Sequence, residues 1–293
     1  MWVLIIPLIA VLIFLISWNL YSKHNWRLPK EPFPNNWKQI LVKYVAFYNS
    51  LSAEEKVSFE FKVQEFLLNC RITGISTEID DTDKLLVASS AIIPVFKFKD
   101  WRYLNIAEVL IYPDTFNLNF ETKGHGRNIL GMVGTGYMNG KMILSKTALR
   151  DGFSNETDKK NTAIHEFVHL IDKMDGSIDG IPEVLLQKQY TIPWLELIKN
   201  KIEDIHEKKS DINPYGATNN AEFFAVASEY FFERPEQLKN KHPLLYKKLE
   251  NIFNHKMHYR DLFTSRKSIG RNEKCPCDSG KKFKKCCGSI HYS

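Results

Sequence analysis

Between Asn220 and Glu233 the chain reads NAEFFAVASEYFFE, a helical stretch stopped by Pro235, in which Phe223, Phe224, Val226, Tyr230, Phe231 and Phe232 leave almost no polar face. A helix that is apolar all round belongs inside a core, so the rest of the chain has to wrap it. That requirement makes its charges informative. An ionised Glu222 in the first turn is costly to bury without a partner, and a zinc ion is one natural partner. A lysine partner, or a helix-dipole role at the N-terminus, is the alternative. Glu229 lies on the same stripe seven residues on, placed to bond a ligand histidine from behind.

A second helical pattern, over about 157–174, contains His165-Glu166-Phe167-Val168-His169, the H-E-x-x-H spacing. Residues four apart on a helix share a face, so both imidazoles can take corners of one zinc tetrahedron. Ala163, Ile164, Phe167, Val168, Leu170, Ile171 and Met174 fill one apolar arc. His165, His169 and Asp172 lie opposite, where they can line a cleft, with Asp172 a further candidate to support the ligands. Glu166 stands beside the histidines, as a general base acting on water must. A catalytic zinc takes three protein ligands and keeps one position open, and His165, His169 and Glu222 make three. The motif alone is also compatible with an amphipathic helix bearing two solvent histidines.

The remaining pattern is mixed, and an α+β fold is expected. Residues 37–49 alternate at helical spacing, Ser52 and Glu55 form a capping box opening a helix to about Cys70, and residues 82–93 read as a buried helix ending at Pro94. Short strand-like runs occur at 108–112 and 141–145, the latter after the Asn139-Gly140 turn. A Lys-rich amphipathic stretch extends to about His258.

The two ends differ from this middle. Residues 2–18, WVLIIPLIAVLIFLISW, carry no charge and reach about 25 Å as a helix, which with flanking residues to 21 suits a single membrane span. A cleaved signal peptide is disfavoured by the absence of a basic n-region and an A-x-A site. Lys23, Arg27 and Lys30 follow the run, so the positive-inside rule puts the N-terminus outside and the catalytic domain in the cytoplasm. The expected organisation is an anchor at 1–22, a proline-rich linker at 23–36, a peptidase domain at 37–265 and a tail at 266–293.

The formal net charge is +6, and eight basic residues against Glu273 and Asp278 place all of that excess between Arg266 and Lys285. A balanced remainder argues against nucleic-acid binding over a wide surface, and no sequence-specific DNA binding is expected. Four of the five cysteines, Cys275, Cys277, Cys286 and Cys287, share that tail. A segment this short cannot bury a core, so four thiolates around a structural zinc are the expected fold-maker. Lysines around such a site also serve solubility alone.

The pair HEFVHLIDKMDGSIDGIP and YGATNNAEFFAVASEYFFERP resembles the Mlc titration factor A family of zinc peptidases. The resemblance implies His165, His169 and Glu222 as ligands of a catalytic zinc and Glu166 as catalytic base. It implies Tyr215 as a phenol near the open position, although a tyrosine before a glycine turn can also simply pack. It further implies a zincin-like domain of gluzincin type, related to the catalytic domain of anthrax lethal factor, and an aminopeptidase-like activity on peptide or protein substrates. GRNEKCPCDSGKKFKKCCG looks like the SEC-C motif of the SecA translocation ATPase, with Cys287 where histidine is common. That likeness implies a zinc-bound module for a protein or ribosome partner. Two rival functions follow: a partner-binding regulator with weak catalysis, and a ribosome- or translocon-associated factor.

Overall fold

The computed structural model describes residues 26–154, 159–186 and 191–254. The chain divides into two units, Met1–His258 and Tyr259–Ser293. The second unit, with Cys275, Cys277, Cys286 and Cys287, lies outside the described residues, and so does the apolar run at 2–21. Among the described residues no helix is long and apolar enough to cross a membrane. The expectation of a single-pass protein with its catalytic domain in the cytoplasm is corrected on that finding.

The helical reading of 37–49 resolves into α1 (Asn35–Tyr44) and α2 (Ala46–Ser50). Val45 between them takes an extended backbone, φ −110° and ψ 93°, and is fully buried. The break lets Phe47 and Tyr48 pack their rings on Phe59 of α3 (Ala53–Asn69). In α3 the capping box is formed in full: Ser52 Oγ accepts from Glu55 N–H and Glu55 Oε2 accepts from Ser52 N–H. Residues 26–31, within the stretch read as linker, are strapped to this helix. Trp26 Nε1–H donates to Glu65 at 2.6 Å, and Arg27 N–H to Asn69 at 2.9 Å.

β1 (Arg71–Gly74) follows, then α4 (Asp81–Ile92), capped by the reciprocal Asp80/Asp83 pair. β2 (Glu108–Tyr112), β3 (Gly131–Val133) and β4 (Lys141–Ser145) complete a sheet of order β1-β2-β4-β3. β1, β2 and β4 are parallel, and β3 is antiparallel to β4 at the edge. The inner strands are buried, which is why their sequences were legible as apolar runs.

The rest is helical: α5 (Lys146–Ser154), α6 (Thr162–Asp172), α7 (Thr191–His206), α8 (Asn220–Glu233), α9 (Pro235–Lys241) and α10 (Pro243–Ile252). α6 is wedged between α8, α4, α5 and β3. Phe167 on its inner face meets Phe66 and Tyr103 edge to face, at 5.7 and 5.5 Å between ring centroids. α8 is enclosed as its composition demands, with Phe224 against Trp194 and Phe253, and Phe231 against Tyr246. Burial pushes the Cys70 thiol up to about 12, so this lone cysteine stays protonated and unreactive.

Candidate active site

Two asparagines aim the helices. Asn161 Oδ1 accepts from Ile164 N–H to cap α6, and Asn219 Oδ1 accepts from Glu222 N–H to cap α8. The cap of α8 is therefore Asn219, and the Glu222 carboxylate is turned to α6. Glu222 Oε2 lies 3.0 Å from His165 Nε2 and 3.4 Å from His169 Nε2, and the two ring nitrogens are 3.0 Å apart. These atoms form the group that can hold a metal ion among the described residues. Atoms bound about 2.1 Å from a tetrahedral zinc stand about 3.4 Å from one another, so the spacing and the N, N, O donor set both fit such an ion.

Glu229, two turns along α8, stands behind His165, its Oε1 2.7 Å from Nδ1. Its other oxygen accepts from Asn161 N–H at 2.7 Å, while Asn161 Nδ2 donates to Gly152 O and Glu233 Oε1. The bond to Glu229 places the proton on Nδ1 and leaves the Nε2 lone pair for the ligand position. In the metal-free arrangement burial opposes a charge on His165, but Glu229 and Glu222 prevail and push its pKa up to about 10. Burial raises and the histidine contacts lower Glu222, which settles at about 2.

Glu166 is buried, and burial raises its pKa against the opposing pull of His165 and His169. Its neighbour across the gap is Gly131 of β3. A Cβ on that glycine would fall 2.7 Å from Glu166 Cγ and 2.9 Å from Thr162 Cγ2. Only a glycine lets the edge strand come this close. Tyr215 sits in a 3-10 turn, Pro214–Ala217, with its ring centroid 6.1 Å from that of His165. It is 54% exposed at the mouth of the cleft, and burial followed by the Glu222 charge raises its pKa.

Asp172 is turned elsewhere. Its Oδ2 accepts from Gly180 N–H at 2.8 Å, and its Oδ1, like His169 Nδ1, is buried without a hydrogen-bond partner in the described structure. Burial pushes Asp172 up to about 6. Gly180 is itself constrained: φ is +80°, and a Cβ there would lie 2.4 Å from Asn220 O at the start of α8. Asp172 thus fastens the loop that abuts α8, with Trp194 Nε1–H donating to Gly180 O.

The cleft has a volume of about 460 Å³, and its lining includes Leu130, Gly131, Lys160, Thr162, Asn213 and Tyr215. Sequence reasoning missed Asn161, Gly131 and Lys160. Asn161, an N-cap residue type directly before the apolar period of α6, was a legible signal for the first, and the other two act only through contacts across the fold.

A helix presenting two imidazoles and a carboxylate base, met by a glutamate from a second helix beside a sheet edge, is the arrangement of the H-E-x-x-H metallopeptidases. The glucose-regulated metallo-peptidase M90 family model matches residues 18–254, and the chain belongs to that family. The SEC-C motif matches residues 271–289. Similar proteins include one named Mlc titration factor A from Escherichia fergusonii, 29% identical over 77% of this chain and 89% of its own length. Another of that name from Cronobacter sakazakii is 27% identical over 82% and 91%. An uncharacterised protein, slr2042, from Synechocystis is 28% identical over 78% and 88%.

Proposed function

We propose that this chain is a zinc-dependent peptidase in which His165, His169 and Glu222 hold the ion, Glu166 is the general base and Tyr215 assists. The observation that carries the reading is the convergence of two imidazole nitrogens and one carboxylate oxygen, 3.0 to 3.4 Å apart, beside a buried glutamate. A bound zinc supplies Lewis-acid polarisation of water and of the substrate carbonyl. Glu166 accepts the proton of the attacking water and passes it to the departing amine, and burial, by raising its pKa, makes it a stronger base for that exchange. Glu229 holds His165 in the tautomer that binds metal. Tyr215 donates a hydrogen bond to the tetrahedral oxyanion, a contact worth about 3 kcal/mol in comparable sites.

A zincin-like domain of gluzincin type, over 37–265, accords with the antiparallel edge strand lying beside the H-E-x-x-H helix. An aminopeptidase-like preference rests on the family resemblance. In the tail, 266–293, Cys275, Cys277, Cys286 and Cys287 hold a second, structural zinc, a reading supported by the SEC-C match. That match also favours a second role, recruitment of a protein or ribosome partner, with catalysis weak or secondary.

The test compares full-length protein with Glu166→Ala, both assayed for bound zinc and for hydrolysis of aminoacyl chromogens and longer peptides. The variant is expected to keep two zinc ions and lose turnover; equal turnover at equal zinc content refutes the base assignment. Deleting 266–293 is expected to spare hydrolysis and abolish co-sedimentation with ribosomes, and unchanged sedimentation excludes the tail as the recruiting element.

A further inference from the structure

The turn that carries Tyr215 is built around Asn213. Its backbone, φ −54° and ψ 127°, has the extended form that a residue before proline takes, and Pro214 holds it there. Asn213 O accepts from Gly216 N–H at 2.9 Å, and Asn213 Oδ1 accepts from Tyr215 N–H at 3.1 Å. The second bond identifies the side-chain oxygen, because a backbone N–H needs an acceptor. The amide plane is thereby set, with its N–H pair directed away from the turn.

The turn is in turn backed onto α8. A Cβ on Gly216 would lie 3.3 Å from the Val226 side chain, which is ordinary close packing without slack. Val226 stands four residues beyond Glu222, about 6 Å along the helix at the usual rise. Asn213 and Val226 both line the cleft that contains His165 and Glu166, and also an adjoining hollow beside Asp211 and Lys159. Asn213 is half-buried there, and its Nδ2 has no partner among the described residues.

The chemistry of the cleft says what this donor meets. Of the carboxylates lining it, Glu229 is engaged by His165 and by Asn161 N–H, and Glu166 is the proposed base. A neutral N–H pair complements a neutral acceptor, and a peptide offers one carbonyl per residue. An extended chain advances ~3.3 Å per residue, so a separation of about 6 Å from the level of Glu222 spans roughly two residues.

We propose that Asn213 is a substrate-binding residue whose Nδ2–H donates to a backbone carbonyl of the peptide within two residues of the scissile bond. The contact favours peptides over aminoacyl chromogens, which carry no such second carbonyl. The proposal rests on the peptidase reading for the nature of the ligand and adds a substrate preference to it.

Binding keeps the two separable. Zinc-loaded full-length Glu166→Gln is titrated calorimetrically with Ala-Ala-Leu-Ala-Ala-Ala amide and with the same peptide bearing a thiocarbonyl, a weaker acceptor, at each residue in turn. Asn213→Ser and Asn213→Asp are then added to that protein, since both keep a side-chain oxygen for Tyr215 N–H and lose the N–H pair. Each is expected to bind the parent peptide about fivefold more weakly, the margin of one hydrogen bond, at unchanged zinc content and Tm. One thiocarbonyl position is expected to weaken binding while Asn213 is present and to make no difference in Asn213→Ser. Undiminished affinity in both variants overturns the proposal, as does a thiocarbonyl profile indifferent to residue 213. A loss confined to Asn213→Ala, which also lacks the oxygen, assigns Asn213 to the turn alone and overturns it too. With Glu166 restored, Asn213→Ser is expected to raise KM about fivefold for the hexapeptide and to leave KM for an aminoacyl chromogen unchanged. An equal rise for both substrates means that Tyr215 has moved and refutes the contact. Binding that depends on residue 213 without any cleavage by the wild-type protein upholds the contact and refutes the peptidase reading, and cleavage with binding indifferent to residue 213 does the reverse.

Discussion

Gly131→Ala probes the contact between the sheet edge and the proposed base. The new methyl would lie 2.7 Å from Glu166 Cγ and 2.8 Å from its Oε1, where ordinary contact begins at 3.4 Å. Glu166 or the strand must therefore retreat by about 0.7 Å. Gly131 does not use the left-handed backbone region, so an alanine there meets no dihedral penalty and the cost is contact alone. Glu166 is 6% exposed, and Thr162 closes the alternative route at 2.9 Å from the same methyl. Overpacking of this kind costs about 1–3 kcal/mol, a fall in Tm of roughly 3–9 °C for a domain of this size. Displacing a base by most of an ångström costs roughly 10²-fold in kcat/KM. The assay is peptide hydrolysis at matched zinc content, with Gly124→Ala as control. Gly124 has φ +91° and open space around its Cβ position, so that substitution strains only the backbone and leaves turnover intact. A Gly131→Ala protein with wild-type Tm and turnover would refute the idea that strand proximity positions Glu166.

Glu229→Gln is expected to weaken zinc binding by about 10- to 100-fold in chelator competition, because an amide offers its oxygen to His165 or to Asn161 N–H and not to both. Asn161→Ala removes the α6 cap and a donor to buried Glu233, and is expected to cost about 2–4 kcal/mol in denaturant unfolding. In metal-free protein the His165 pKa is raised to about 10, so its contribution is full below about 6.5 and is lost as pH climbs from there to 10. Tm with chelator is expected to decline across that window and Tm with zinc to stay level; a flat chelator profile contradicts the assignment. On the acid side, burial favours the neutral acids but the hydrogen bonds to Glu222 and Asp211 prevail and depress both. The contribution of Glu222 is present above about 4.5 and lost as pH falls toward 2, and that of Asp211 is present above about 3.8 and lost only in strong acid.

What the amino-acid sequence determined by itself was local. The 3.6-residue period put His165 and His169 on one face, the apolar girth of 220–233 made a buried helix, and Ser52 with Glu55 marked a helix start. A charged Glu222 in such a helix already demanded a partner, because the cost of burying a charge can be read from one segment. The tertiary structure decided everything that depends on residues distant in the chain. His165 meets Glu222 across 57 residues and Glu229 across 64, and both meetings follow from the packing of α6 against α8. The edge strand β3 is three residues long, too short for a period-2 signal, and its place beside Glu166 is set by pairing with β4. The break at Val45 and the lysine-lined hollow around Asp211 have the same origin. Each is a contact between segments whose own sequences carry no trace of the other, and burial and close approach exist only once the chain has folded.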